Sequence, residues 1–544
     1  MGGLSTLNPR NFQWISGDNT AGYIAQLFYL SDIWRAPIGA NPNFGLDLST
    51  SVTYSGPPLP ILLIQRLLNI NPELQFIGLW LLLMVCLQIM FGILISQQVG
   101  YKLLESTILG ALFVTPFFLY KFQVHYWLTA HFLLLWAFWI VLKCLSTKKY
   151  LTLETTIFLL VAYSINTYLL VMALIILSYP LILNILVENK IHIAVRRHML
   201  AIFATLLTSY FLIDFKAQTG TAYENIRMLF TGNYTETPSN LLALVNPAVG
   251  YARDCKKGHC IFGNLPVPDT FIENFSLLNY DLGGVQGNYD GFLYLGLGIL
   301  LLLVVACFHS FATSKFRPFK DLKMQSRLLI IYVLLVSAYA ITYKVSIGNY
   351  QLDLGDPKLL RWALSVFRAS GRFMWLVAYL LIILSLIYIR NYIGIHSIRI
   401  MIVLATSLQL LDVTPRILDR YSALREENLS SITFTKEFED TFSEFASGKD
   451  VLIMYPPGTL EGWPKVSYLA WKNNLRSGMS NSSRVNGIRR EKLDFEIRQQ
   501  ICSDSLPKEW LVIIPASGIS SISSCIDDSY LISKLDSFLF VKTK

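Results

Sequence analysis

Charge is what this chain has least of. Only 15% of its 544 residues are Asp, Glu, Lys or Arg, while 53% are hydrophobic and 13% aromatic. A soluble domain carries roughly 25% charge, so this composition excludes an ordinary soluble protein. Runs without one ionisable residue recur along the chain, and the mean hydropathy is +0.47. Both point to a polytopic α-helical membrane protein. The opening MGGLSTLNPRNFQW lacks the charged and then apolar regions of a cleavable signal peptide. Internal repeats and low-complexity tracts are lacking too, and no metal-ligand spacing is found. The net charge of +9 does not require nucleic acid, because basic residues collect in cytoplasmic loops of membrane proteins.

About ten spans are expected, near 76–96, 103–120, 122–142, 151–165, 166–187, 198–215, 289–309, 327–345, 373–390 and 398–412. The stretch 151–187 is too long for one helix and suits a hairpin that turns within Ser164–Tyr168. Every second loop is basic. This set holds Lys102; Lys143, Lys148 and Lys149; Lys190, Arg196 and Arg197; Lys315, Arg317, Lys320, Lys323 and Arg327; then Arg390 and Arg399. The positive-inside rule makes it cytoplasmic. The segments 1–75, 216–288, 346–372 and 413–544 then face outward.

Cysteine usage agrees with that register. Cys86, Cys144 and Cys307 lie in or beside spans, and the other four form two outward pairs, Cys255 with Cys260 and Cys502 with Cys525. Disulfides suit an oxidising compartment; free thiols are the alternative. The tail 413–544 reads as a small soluble α/β domain. DVLIMYPP and EWLVIIPA are buried-strand patterns, FLFVKTK suits a last strand, and Asn473–Arg498 suits loop and helix. It shows no nucleophile elbow and no phosphate loop, which favours packing or recognition.

Three arginines sit where this topology disfavours them. Arg361, Arg368 and Arg372 are spaced i, i+7, i+11, one face of a helix, and they lie on the outward side. Ser370 and Gly371 suit a helix start. A helix N-terminus attracts anions, and arginine matches phosphate bidentately. Together they make a candidate phosphate site at the membrane surface. Snorkelling, or pairing with Asp353 or Asp356, is the structural alternative.

Segment 1–75 is rich in unusual residues. YIAQLFYL reads as an interfacial amphipathic helix. Trp14, Tyr23, Trp34, Phe44 and Tyr54 suit the interface or a sugar-stacking surface. Asp18, Asp32 and Asp47 are carboxylates close to the membrane. Asp18 equally suits a helix N-cap. His125 and His131, six residues apart, suit packing better than metal binding.

The pattern GDN…YIAQLFYLSDIWRAPIGANPNFG…SVTYSGPPLPIL, then LQFIGLWLLLMVCLQ, GNYDGFLYLGLG, FRASGRFMWLVAYLL and LQLLDVTP resembles the bacterial DUF6311 membrane proteins. That family is similar to the GT-C class of glycosyltransferases. The resemblance implies a GT-C-like α-helical polytopic fold in a bacterial cytoplasmic membrane, with the tail in the periplasm. It implies transfer of a sugar from a polyprenyl-phosphate donor to a glycan acceptor at the extracytoplasmic face, with membrane lipid as the medium. By analogy with other bacterial enzymes of the class, the acceptor is a surface polysaccharide such as O-antigen. Some relatives in the class use a divalent cation. Asp18 stands at the family's GGD-like motif and takes the acidic role there, with Asp32 and Asp47 as second choices. Trp34, Arg35, Tyr54, Asn288 and Asp290 are expected to line the substrate site. Two departures stand out. Relatives usually carry a transmembrane helix before that motif, where only about sixteen residues precede it here; either the start lies further upstream or the helix is lost. Relatives also tend to carry an acidic residue in the stretch matching YSGPPL, where this chain has Ser55 and Gly56.

The expected mechanism follows. The phosphate of the donor lies near Arg368 and Arg372, with Arg361 or the helix N-terminus assisting. The leaving phosphate needs charge stabilisation more than a general acid, and a carboxylate, Asp18, takes the acceptor's proton. Asp290 orients the acceptor or starts a helix, and Gln409 and Asp412 either assist or cap. A lipid-linked glycan transporter, a polysaccharide polymerase or ligase, and a non-catalytic scaffold are the competing readings. Transporters place charges near mid-membrane and break their helices.

Overall fold

The computed structural model describes residues 4–15, 18–188, 193–215, 217, 238–252, 270–278, 280–284, 288–313, 324–356, 364, 366–367, 369–426, 432, 434–457, 462–479, 487–520, 522, 525 and 530–543. Among the described residues two helices precede the bundle, α1 (Asp18–Ser31) and α2 (Leu59–Leu67). Eleven follow: α3 (Ile77–Val99), α4 (Leu103–Leu112), α5 (Pro116–Val124), α6 (Phe132–Thr147), α7 (Thr152–Ile165), α8 (Thr167–Leu183), α9 (Ile193–Ser209), α10 (Leu297–Thr313), α11 (Met324–Ile341), α12 (Met374–Tyr392) and α13 (Ile395–Glu426).

Among the described residues six helices are long and apolar enough to cross a membrane: Ile77–Val99, Tyr126–Thr147, Thr167–Leu186, Met324–Ile341, Ser370–Tyr392 and His396–Thr414. The other expected spans differ in form. The stretch 103–120 is a broken pair, Leu103–Leu112 and Pro116–Phe122, bent by 58°. Pro116 opens the second half, where its missing N–H costs nothing. The spans at 151–165 and 289–309 are the shorter helices α7 and α10, and the latter begins at Leu297 rather than 289. The span at 198–215 corresponds to α9 and a π-turn, Tyr210–Asp214. The last span does not stop at 412: α13 continues to Glu426. The expected hairpin breaks at Asn166, whose side chain accepts from Leu169 N and caps α8.

Two of the basic loops, that of Lys102 and that of Arg390 and Arg399, meet at one end of the bundle. Arg390 donates to the Gly100 carbonyl, Arg399 pairs with Glu105 at 3.0 Å, and Lys143 lies 3.9 Å from Glu154. The segments expected on the opposite side meet at the other end. Thr53 bonds Asp214, Asn240 bonds Gly348, and Leu277 N bonds the Asp412 carboxylate. Two hairpins lie among the loops, β1 (Ala248–Ala252) with β2 (Thr270–Asn274), and β3 (Lys344–Ile347) with β4 (Tyr350–Asp353).

The tail is α/β. Its sheet holds β5 (Val451–Met454), β6 (Arg476–Ser477), β7 (Trp510–Pro515), β8 (Tyr530–Leu535) and β9 (Phe538–Thr543), in the order β6-β5-β7-β9-β8. The β6-β5-β7 part is parallel and the rest antiparallel. Helices α14 (Lys436–Ala446), α15 (Trp463–Lys472) and α16 (Gly487–Cys502) cover it. Two four-residue turns, Leu4–Leu7 and Ala516–Ile519, complete the helices. The Cys502–Cys525 disulfide is formed, whereas Cys255 and Cys260 lie outside the described residues.

The tail packs onto segment 1–75. Gly45 N donates to the Ser477 carbonyl at 2.7 Å, and Ser477 N to the Asn43 carbonyl at 2.9 Å. Residues 43–45 thus extend the sheet beside β6. Trp471 Nε1 donates to Ser31 Oγ at 2.8 Å. This docking overturns one expectation: α1 is no interfacial helix. All its residues from Asn19 to Tyr29 are buried, because the bundle covers it on one side and α15 on another. Trp14, Tyr23 and Phe44 are buried in the core for the same reason, while Trp34 remains 54% exposed.

Candidate functional site

A buried ionic cluster lies where the loops of the tail-bearing end converge. Asp290 sits in a 3-10 turn, Asn288–Gly291, ahead of α10. Arg372 sits in another, Ser370–Phe373, leading into α12. The two turns touch through their glycines: a Cβ on Gly291 would lie 3.4 Å from Gly371 Cα. Each glycine is next to one of the charged residues, so the close approach brings the charges together. Arg372 Nε reaches Asp290 Oδ1 at 3.0 Å, and its Nη2 reaches Oδ2 at 2.5 Å. Lys121 Nζ, from α5, donates to Oδ1 at 2.7 Å.

Lys121 is fully buried, Asp290 is 5% exposed and Arg372 8%. Aromatic faces line the cations: Tyr168 lies 4.9 Å from the Arg372 guanidinium, and Tyr120 and Trp375 lie 5.0 and 5.4 Å from Lys121. One carboxylate between two cations leaves the cluster with net positive charge. That is the electrostatic condition for stabilising an anion.

The rim of the site is Asp18 and His125. Asp18 is the first residue of α1, where its charge complements the helix dipole. His125 ends α5, one turn beyond Lys121. His125 Nδ1 lies 3.2 Å from Asp18 Oδ2, an ion-pair separation without hydrogen-bond alignment. The adjacent Asn19 accepts from Tyr126 N at 2.9 Å and holds α1 to the end of α5. His125 stacks on Trp127 at 5.3 Å, and its charge also bears on Asp290. Trp127 fills the space beside Gly56, whose φ is +112° and whose Cβ, if present, would lie 2.6 Å from the indole. A side chain at 56 has no room here.

The remaining expected residues are dispersed. Asp32 accepts from Ile33 N at 2.8 Å and from Arg35 at 2.5 Å, closing the turn after α1. Trp34 lies under Arg66 at 4.9 Å. Asp47 is exposed on the turn Leu46–Leu48. Tyr54 is half-buried on the turn Val52–Tyr54. Asn288 shares the turn of Asp290; its side chain, like Arg361 and Arg368 entirely, lies outside the described residues. Of the expected site residues whose side chains are described, Asp18, Asp290 and Arg372 are the ones brought together. Gln409 and Asp412 cap instead: the amides of Leu297, Gly298 and Ile299 donate to their side chains across the helix pair.

Three residues went unselected in the sequence. Lys121 is a lone cation inside an apolar stretch, and that was its signal. His125 shares its helix face four residues on. Asp214, buried, accepts from Thr53 Oγ1 at 3.1 Å and Tyr163 OH at 2.8 Å and fastens loop 51–54 to the end of α9. Both histidines pack against aromatic rings, His131 4.4 Å from Trp375 and His125 5.3 Å from Trp127, and His125 also meets Asp18. Among the described residues no three His, Cys, Asp or Glu groups converge, so the donor set does not fit a divalent cation.

A solved structure similar to this chain is that of the archaeal oligosaccharyltransferase AglB from Archaeoglobus fulgidus in complex with an inhibitory peptide and a dolichol-phosphate. It shares 10% identity at a TM-score of 0.37, covering 100% of this chain and 73% of that one. No curated protein matches. The profile of DUF6311, a domain of unknown function, matches residues 1–414, and the chain belongs to that family.

Proposed function

We propose that this multi-pass membrane protein is a glycosyltransferase that moves a sugar from a polyprenyl-phosphate donor to a cell-surface glycan, at the outer face of the cytoplasmic membrane. The observation that carries the reading is the single cluster of Asp18, His125, Asp290, Lys121 and Arg372 at the tail-bearing end. It combines a carboxylate–imidazole pair that can take a proton with two cations suited to a leaving phosphate. The acceptor is proposed to enter beside Trp127, which Gly56 of the first loop abuts.

Arg372 serves this chemistry from within the cluster rather than as an exposed surface arginine. Its guanidinium and Lys121 lend the net positive field, with Arg361 and Arg368 proposed to meet the phosphate. Trp34, Arg35, Tyr54 and Asn288 are proposed at the approach of the substrates, and Asp32 and Asp47 remain second choices for the acidic role. The test is transfer of labelled sugar from a polyprenyl-phosphate pool to surface glycan, with and without the protein. Asp18→Asn and Arg372→Ala variants run alongside. Transfer that needs the protein and falls at least tenfold in both variants is expected; no protein-dependent transfer overturns the reading.

One observation favours a second reading, a lipid-linked glycan transporter: the broken span at residues 103–122 holds the buried Lys121 in its second half. A transporter moves the lipid-linked glycan across vesicle membranes without forming a new glycosidic bond, and that product analysis separates the two.

A further inference from the structure

We infer that His125, not Asp18, accepts the proton of the acceptor hydroxyl, and that Asp18 is a positioning residue acting through the imidazole. This rests on the transfer reading above and names the atom that does its proton chemistry.

The imidazole is held on two sides. Asp18 Oδ2 lies 3.2 Å from Nδ1. The indole of Trp127 stacks on the ring at 5.3 Å with an interplanar angle of 25°. Trp127 is itself wedged: Cβ positions at Gly22 and Gly56 would lie 3.2 and 2.6 Å from it. A carboxylate beside Nδ1 favours the tautomer that keeps the proton there, which makes Nε2 the basic nitrogen. Alignment at the Asp18 contact is loose, as catalytic hydrogen bonds often are before substrate binds.

The order of the contacts assigns the roles: the carboxylate of Asp18 lies on Nδ1, so the acceptor's proton goes to the far nitrogen of the ring. The charged groups around His125 are Asp18 from α1, Asp290 from the turn before α10, Lys121 from its own helix, and Arg372, which pairs with Asp290. Asp18, the carboxylate beside the ring, favours the imidazolium that forms. The Lys121–His125 spacing of four residues places the base one turn from the cations that face the leaving group.

The step balances as follows. The acceptor oxygen forms a bond to the anomeric carbon while the bond from that carbon to the phosphate oxygen breaks. The phosphate departs with the electron pair. The hydroxyl proton passes to His125 Nε2 and is later lost to water.

The experiment measures sugar transfer by the full-length protein in membrane vesicles supplied with a polyprenyl-phosphate sugar. The variants are His125→Gln, His125→Ala, Asp18→Asn and the Asp18→Asn/His125→Gln double, each checked for wild-type thermal unfolding. His125→Gln is expected to lower the rate by about 10²–10⁴-fold with little change in donor KM. The fall in wild-type rate on acidification should vanish in that variant, and free imidazole should restore part of the His125→Ala rate. The double variant should be barely slower than His125→Gln, because Asp18 acts through the ring. The assignment is overturned if His125→Gln keeps the wild-type rate and pH profile while Asp18→Asn does not, since Asp18 is then the base. A wild type without transfer removes the functional reading and this assignment together.

Discussion

Asp290 holds the cluster together, and the three charges are unequal in consequence. Removing Lys121 leaves Asp290 with Arg372, and removing Arg372 leaves it with Lys121. Removing the carboxylate leaves two buried cations facing each other. Breaking a buried pair from one side costs about 3–5 kcal/mol. Asp290→Asn should therefore destabilise the protein by about that much and more than Lys121→Met does. The double Asp290→Asn/Lys121→Met variant should recover part of the loss. Thermal unfolding in detergent checks the order, and an Asp290→Asn variant as stable as wild type would sink it.

The first turn of α10 starts among buried loops, where water cannot satisfy its amides. Asp412 Oδ2 accepts from Leu297 N at 3.0 Å, and Gln409 Oε1 from Gly298 N and Ile299 N at 3.0 and 3.3 Å. Gln409 Nε2 also donates to the Leu295 carbonyl. The neighbouring helix thus provides the cap that α10 lacks in its own sequence. The two helices approach closely enough that a Cβ on Gly298 would lie 2.0 Å from the Ala405 carbonyl. Gln409→Leu strands two buried amides at a cost of about 1–3 kcal/mol each. The expected result is faster hydrogen exchange at residues 297–299 with the rest of α10 and α13 unaffected; unchanged exchange there would refute the cap.

The tail and the first loop are one packed unit. Trp471 on Ser31, the strand-like pairing of residues 43–45 with Ser477, and the contact of Phe12 with Tyr468 at 6.2 Å bind them together. The Cys502–Cys525 bond closes a loop with a sequence separation of 23, which removes chain entropy worth about 3 kcal/mol from the unfolded tail. A Cys502→Ser/Cys525→Ser variant should unfold its tail at lower denaturant concentration, by about that amount, as read by protease resistance. Equal resistance with and without the bond would show that the packing alone sets tail stability.

Hydropathy and strand periodicity are local, so the sequence already located the helices, the β5, β7 and β9 strands and the cysteine pair that forms. The exceptions were non-local. The burial of α1 was invisible because its cover, α15, lies over four hundred residues away, as the Trp471–Ser31 separation of 440 shows. The site was half visible. Asp18, Asp290 and Arg372 announced themselves as charges at the edges of apolar runs. Their partners did not, since Lys121 meets Asp290 across 169 residues and Arg372 meets it across 82. Desolvation makes each of those charges costly alone, and only the fold, by closing two glycine turns on the end of α5, brings them close enough to offset one another.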